Sequence, residues 1–268
     1  MENAICSALD DLKVSLNNRY SQISSGYYGG LPDALNYGLL ETYVWRFFLK
    51  RRESELKFQY GECQEVTTEI IQSSQYKWYE KLNLVEYVIG ILEDYVNHAD
   101  SGYYMIRDAF VGQLNADFAN LFYGYRIIDG EIVPITDSTE IETIQKAIIE
   151  RNDNVHVHLE TALANLAKRP ESDSRNSIKE SISAVECLCR EITNESTLDK
   201  AIPKLQAKGV VMNPRFEEGL KQLYFYTNDK RTGIRHALMD DAHTPTFAEA
   251  KFMLVICSAF VNYVRALI

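Results

Sequence analysis

Apolar residues recur along most of this chain at spacings of three and four, the period of a helix that buries one face. From Pro32 to Phe58 they fall at Leu35, Leu39, Tyr43, Phe47 and Phe48, with Pro32 near the start, where its missing N–H does no harm. Leu82, Val85, Val88, Ile89, Leu92 and Val96 repeat the pattern. So do Ile106, Phe110, Leu114, Phe118, Leu121 and Phe122, after the turn residues Asp100, Ser101 and Gly102. One segment breaks the period. In residues 125–135 two short β-branched runs flank Asp129-Gly130, a pair that tolerates the positive φ angles of a tight hairpin turn. The pattern predicts an all-α protein of two helical domains with one small β-hairpin near residues 125–135.

Helical patterning resumes at Ile141, Ile144 and Ile148 and again at Leu159, Leu163 and Leu166, then stops in the polar, proline-containing residues 168–174. That stretch predicts a domain boundary, with an acidic helical domain over 1–169 and a second bundle over 170–268. In the second domain Ser177 with Glu180, and Thr246 with Glu249, read as capping boxes. Gly209 ends a helical stretch from Lys200 to Lys208 in which Pro203 marks a kink or a late start, and Asn213-Pro214 opens another helix. The last helix, from Phe252 to Leu267, is apolar over more than half its circumference. Such a helix belongs either at the centre of a bundle or against a second subunit.

Charge sharpens the division. The formal net charge is -10, and residues 1–169 carry all of the surplus, with 25 acidic against 15 basic side chains, while residues 171–268 hold 13 of each. An acidic surface repels phosphate backbones, whereas a neutral one can still carry a local basic site. An apolar fraction of 46% excludes a disordered chain. Five cysteines without a Cys-x-x-Cys argue against a disulfide framework or zinc ribbon and fit a reducing cytoplasm. The acidic amino terminus lacks the pattern of a secretory signal, and the longest nearly apolar run, Phe252 to Val261, is half of the roughly 20 residues a membrane helix needs. A soluble, cytoplasmic protein with no membrane partner is expected.

No Gly-rich phosphate loop, Gly-x-Ser-x-Gly elbow or His-Glu-x-x-His occurs. Gly26-Tyr-Tyr-Gly-Gly30 reads as a loop. His156 and His158, two apart, point to different helix faces and do not make a metal pair. Cys187 and Cys189 read as core thiols, and Tyr224-Phe-Tyr226 and Trp78-Tyr79 as core aromatics sooner than base-stacking platforms. The informative segment is 228–240, which places Arg231 ahead of His236, with Arg235 adjacent. A histidine can move the proton of an RNA 2′-hydroxyl or leaving oxygen, and an arginine can hold the phosphate bidentately, so metal-free phosphodiester cleavage needs no cofactor here. Spacing alone is weak, since about one such match arises by chance in a chain with these arginine and histidine counts. Arg151 and His156 form a second one.

The surroundings of the motif are more specific. Residues 176–186, Leu223-Tyr-Phe-Tyr-Thr227, Gly233-Ile-Arg-His-Ala-Leu238 and residues 249–263 together resemble the carboxy-terminal HEPN domain of bacterial AbiJ-type abortive-infection proteins. Residues 125–136, followed by Glu140-Ile-Glu-Thr-Ile144, resemble the end of the domain that precedes it, and the likeness covers roughly 80–268. It implies an all-α HEPN bundle, commonly dimeric, with an Arg-x4-6-His motif associated with metal-independent RNA cleavage. Carried over by position, Arg231 and His236 become the candidate catalytic residues, and Arg235 and Asn228 candidate substrate contacts. RNA, a second copy of the chain and a regulatory protein are the implied partners. The residue after the motif arginine, often Asn, Asp or His in active relatives, is Thr232 here, which leaves a second reading open. In that reading the second domain is a catalytically silent HEPN module for dimerisation or sensing that acts through a protein partner.

Overall fold

A computed structural model describes residues 1–25, 34–59, 62–98, 102–149, 153–195, 197–235 and 243–268. The glycine-containing loop expected at 26–30 and the turn residues Asp100 and Ser101 lie outside them. Two compact units, Met1–Ile132 and Val133–Ile268, make up the chain. The first holds α1 (Glu2–Ser24), α2 (Tyr37–Tyr43), a π-helical turn at Val44–Phe48, a short ladder of β1 (Phe58–Gln59) and β2 (Glu62–Cys63), α3 (Val66–Gln72), α4 (Trp78–His98) and α5 (Gly102–Asn120). The hairpin of β3 (Arg126–Ile128) and β4 (Glu131–Val133) closes it. The second unit holds α6 (Ser138–Ile149), α7 (Asn154–Ala167), α8 (Ser174–Thr193), α9 (Leu198–Leu205), α10 (Pro214–Asn228), a 3₁₀ turn at Lys230–Thr232 and α11 (Phe247–Arg265). The molecule is all-α with a small hairpin, as the periodicity predicts.

In the first unit the i, i+3, i+4 positions of α4 that the sequence marks, Leu82, Val85, Val88, Ile89 and Leu92, are all buried beside Leu9, Leu12 and Leu16 of α1 and Phe110, Leu114 and Phe118 of α5. The hairpin turns on Asp129 and Gly130 with φ of 49° and 79°, the left-handed pair that a two-residue turn requires. The helix expected from Pro32 onward is much shorter. Asn36 caps α2, its side chain accepting from the Leu39 amide at 2.8 Å, and the π-helical turn after Tyr43 ends at Phe48, two residues before Lys50 with φ 54°. Loss of helical register after one π turn explains why the apolar spacing continued while the α-helix did not.

In the second unit α11 lies at the centre. Met253, Leu254, Cys257, Phe260, Val261 and Val264 are buried, and α11 packs on α6, α7 and α8. By length and composition it is the one helix among the described residues that could cross a membrane, and its buried stripe is the core of this unit. Its Thr246–Glu249 capping box is complete: the Glu249 amide donates to Thr246 Oγ1 at 3.3 Å and the Thr246 amide to Glu249 Oε2 at 2.8 Å. The other expected box is replaced. Helix α8 begins one turn earlier, at Ser174, because Asp173 caps it through the Asn176 amide, and Ser177 is buried within the helix. Asn213 caps α10, Gly209 with φ 97° ends the turn after α9, and Pro203 lies inside α9.

The boundary expected near 168–175 falls inside the second unit, in the connection between α7 and α8. The compact units part instead at Ile132 and Val133. The reason is packing: Leu159, Leu163 and Leu166 of α7 are buried against α8, so α7 and α6 share a core with the helices that follow them.

Candidate functional site

The segment singled out by the sequence leaves the end of α10. Asn228 closes that helix, its side-chain amide donating to the Tyr224 carbonyl at 3.4 Å, so it serves as a helix-end contact in this arrangement. Asp229 then caps the 3₁₀ turn, accepting from the Arg231 amide at 2.9 Å. The same carboxylate takes the Arg231 guanidinium, Nη2 to Oδ2 at 2.7 Å. Those Arg231 hydrogen bonds hold the Asp229 carboxyl down at about 2, so it is ionised at any physiological pH. The Arg231 side chain is 82% exposed, placing a cation on the surface of a turn whose backbone is fixed.

Thr232 is buried and its hydroxyl donates to the Asp229 carbonyl at 2.8 Å, so the residue that follows Arg231 closes the turn. Gly233 follows with φ 63°, the left-handed conformation that lets the chain reverse toward α8. Arg235 emerges there and is received by Glu186 of α8, Nη2 to Oε2 at 2.6 Å and Nη1 to Oε1 at 3.2 Å, a bidentate pair. Its guanidinium also lies 5.5 Å from the centroid of the Tyr224 ring. Arg231 and Arg235 therefore hold different positions: one sits on an exposed turn, the other is clamped between α8 and α10. His236 lies outside the described residues.

The chain re-enters at His243, whose amide donates to the Arg231 carbonyl at 2.9 Å. The His243 ring Nε2 meets Glu249 Oε1 at 2.9 Å, while the other oxygen of that carboxylate serves the Thr246 cap. The Thr246 amide and then the His243 ring hold the Glu249 carboxyl below its ordinary range. In the competing Arg-x4-His match, Arg151 lies outside the described residues and the histidines are engaged elsewhere. His156 Nδ1 contacts the Ile148 carbonyl at 2.7 Å, and His158 Nδ1 meets Glu180 at 2.7 Å. Cys187 and Cys189 are buried, as expected of core thiols, and burial pushes the Cys189 thiol up to about 12.

Sequence reasoning missed Asp229, Glu186 and His243. Asp229 had a readable signal, an Asx residue two before the arginine whose amide it caps. Glu186 lies 49 residues from Arg235, and nothing in one sequence pairs them.

Fold and site together define an all-helical, two-unit chain with a cationic turn in its second unit. The family described as AbiJ N-terminal domain 4 matches residues 2–150, more than half of the chain, and the chain belongs to that family. This membership associates it with abortive infection. No curated protein matches the chain, and no solved structure does.

Proposed function

We propose that this chain is an abortive-infection effector whose second unit is a HEPN-like domain that cleaves RNA without a metal, using Arg231 and His236. The observation that carries the reading is the placement of Arg231: a guanidinium held out on an Asp229-capped turn, a few residues ahead of the motif histidine. Arg231 binds and stabilises the phosphate as charge builds up, and His236 transfers a proton to or from the reacting oxygens. Arg235, braced by Glu186 and Tyr224, secures the backbone immediately before His236. The protein acts as a homodimer through its second unit, where α11 leaves Phe252 and Tyr263 exposed beside its buried stripe. The first unit holds 19 acidic against 11 basic residues, a balance that suits control or protein contact better than gripping RNA.

One observation favours the second reading, a silent sensing or dimerisation module. Both candidate phosphate-binding arginines already have carboxylate partners, Asp229 and Glu186. The test is cleavage of single-stranded RNA by purified protein in EDTA. Wild type cleaves, and His236→Ala is slower by about 10²- to 10⁴-fold, the usual cost of losing a positioned proton-transfer group. His158→Ala keeps its rate. Loss of activity on adding EDTA overturns the metal-free mechanism. A wild-type chain with no activity, whose expression slows growth equally well with alanine at position 236, supports the silent module.

A further inference from the structure

The net acidity of the first unit hides an uneven distribution. Five of its 11 basic residues fall between positions 46 and 57, where two carboxylates, Glu53 and Glu55, accompany them. The fold closes this stretch into one turn. It leaves α2 through the π-helical turn at Val44–Phe48, a helix form frequent at functional sites. Buried Trp45 anchors the return: its indole N–H donates to the Arg52 carbonyl at 2.7 Å, and its carbonyl accepts from the Arg51 amide at 3.1 Å. Arg46 bridges to Glu53 at 3.1 Å across the same closure. Arg46, Lys50, Arg51 and Arg52 are thereby held on one turn, all of them exposed. Lys50 takes φ 54° there, so a cation stands where the left-handed backbone favours glycine.

Aromatic rings lie among these cations. Phe47 is 54% exposed, with the Arg46 guanidinium 5.0 Å from its ring centroid, and the Arg51 guanidinium lies 4.8 Å from the Trp45 ring. After a 3₁₀ turn at Glu53–Glu55 and buried Leu56, Lys57 leads into β1 and its 64% exposed Phe58. Lys50, Arg52 and Lys57 have no ion-pair partner among the described residues. Unpaired cations beside open ring faces and stacked guanidinium planes suit a single nucleic-acid strand, whose phosphates meet the cations and whose unstacked bases lie on the rings. An acidic peptide would use the cations alone, and a duplex hides its base faces. The rest of the unit sets six basic against 17 acidic residues, which repels a polyanion and confines the strand to this turn.

We infer that the π-helical turn of the first unit and the residues that follow it form a docking surface for single-stranded RNA. Lys50, Arg52 and Lys57 take phosphates, and Phe47 and Phe58 take bases. The choice of RNA over DNA rests on the nuclease reading above; the surface itself does not.

The experiment is fluorescence anisotropy of the full chain with a single-stranded 2′-O-methyl RNA of about 12 nucleotides, which lacks the attacking hydroxyl and stays intact, in salt from about 50 to 200 mM. Wild type should bind, with log affinity falling linearly in log salt. Lys50→Asn combined with Arg52→Gln, asparagine tolerating the left-handed backbone, should weaken binding by about tenfold or more at low salt. It should also make the slope shallower by about 1.4, or about 0.7 for each lost phosphate contact. Phe47→Leu should weaken binding by about fivefold or more and leave the slope unchanged. Lys208→Gln, which removes an exposed cation of the second unit, should bind within about twofold of wild type. Wild-type protein that fails to bind, or a double variant with the wild-type affinity and slope, overturns the surface whatever the cleavage assay reports. DNA of the same sequence binding about tenfold tighter than the RNA overturns the choice of RNA. Vesicles with about 30% phosphatidylserine that sediment wild type but not the double variant, with no RNA bound, reassign the turn to a membrane. Binding lost in the variants of a chain that never cleaves keeps the surface and ends the nuclease reading.

Discussion

At the scale of single residues, the buried charge in the first unit makes the clearest demand. Glu41 on α2 is fully buried and accepts from the Thr67 amide at 2.9 Å and the Thr67 hydroxyl at 2.6 Å, with the Tyr37 hydroxyl 2.8 Å from the same Thr67 oxygen. Burial raises its carboxyl to about 7 despite those hydrogen bonds. The unfolded chain releases this proton near pH 4.5 while the folded chain keeps it to about pH 7. Between those values the native state binds more protons, so stability falls as pH rises, by at most about 1.4 kcal/mol per pH unit. Glu41→Gln preserves an acceptor for the Thr67 amide and removes the titration. Urea unfolding followed by tryptophan fluorescence should show the wild-type stability declining from pH 5 to 7.5 and the variant's curve flatter over the same range. Parallel curves would place the pH dependence elsewhere. The same scale shows why His236 and Arg231 could be picked out while Glu186 could not. A motif is local in sequence, whereas the carboxylate that receives Arg235 arrives only when α8 is folded against it.

At the scale of elements, two glycines make opposite predictions. Gly90 sits in the middle of the 21-residue α4, exposed, with nothing within 4 Å of the point where an alanine methyl would stand. A helix-interior glycine costs about 1 kcal/mol relative to alanine, so Gly90→Ala should stabilise the protein by roughly that amount. Gly130 holds φ 79° in the hairpin turn, where alanine is strained, and Gly130→Ala should destabilise by about 1 kcal/mol or more. Thermal melts of the two variants should therefore move in opposite directions from wild type. Equal shifts would contradict the assigned turn geometry. Elements were legible wherever a buried stripe was long, as in α4, α5 and α11. They were misread where the backbone changed helix type without changing the apolar spacing, as after Tyr43, or where a polar cap one turn upstream took precedence, as at Asp173.

At the scale of the whole molecule, the two units carry separate cores and separate reporters. Both tryptophans, Trp45 and Trp78, lie in the first unit. Leu254, fully buried in α11, lies in the second. Leu254→Ala removes a core side chain at a cost of about 2 to 5 kcal/mol. Loss of helix measured by circular dichroism should then begin at lower urea while the tryptophan transition stays in place. A tryptophan transition that shifts equally would show the two units unfolding as one.

The sequence by itself determined the all-helical class, the hairpin at Asp129-Gly130, the caps at Asn213 and Thr246, and the arginine–histidine motif, because each depends on residues within a few positions of one another. Tertiary structure decided the rest. It moved the unit boundary from the proline-containing connector to Ile132, since a boundary is drawn by which cores are shared, and α7 shares its core with α8. It gave Arg235 to Glu186 and brought His243 beside Arg231, contacts set by how the chain returns on itself and not by any local pattern.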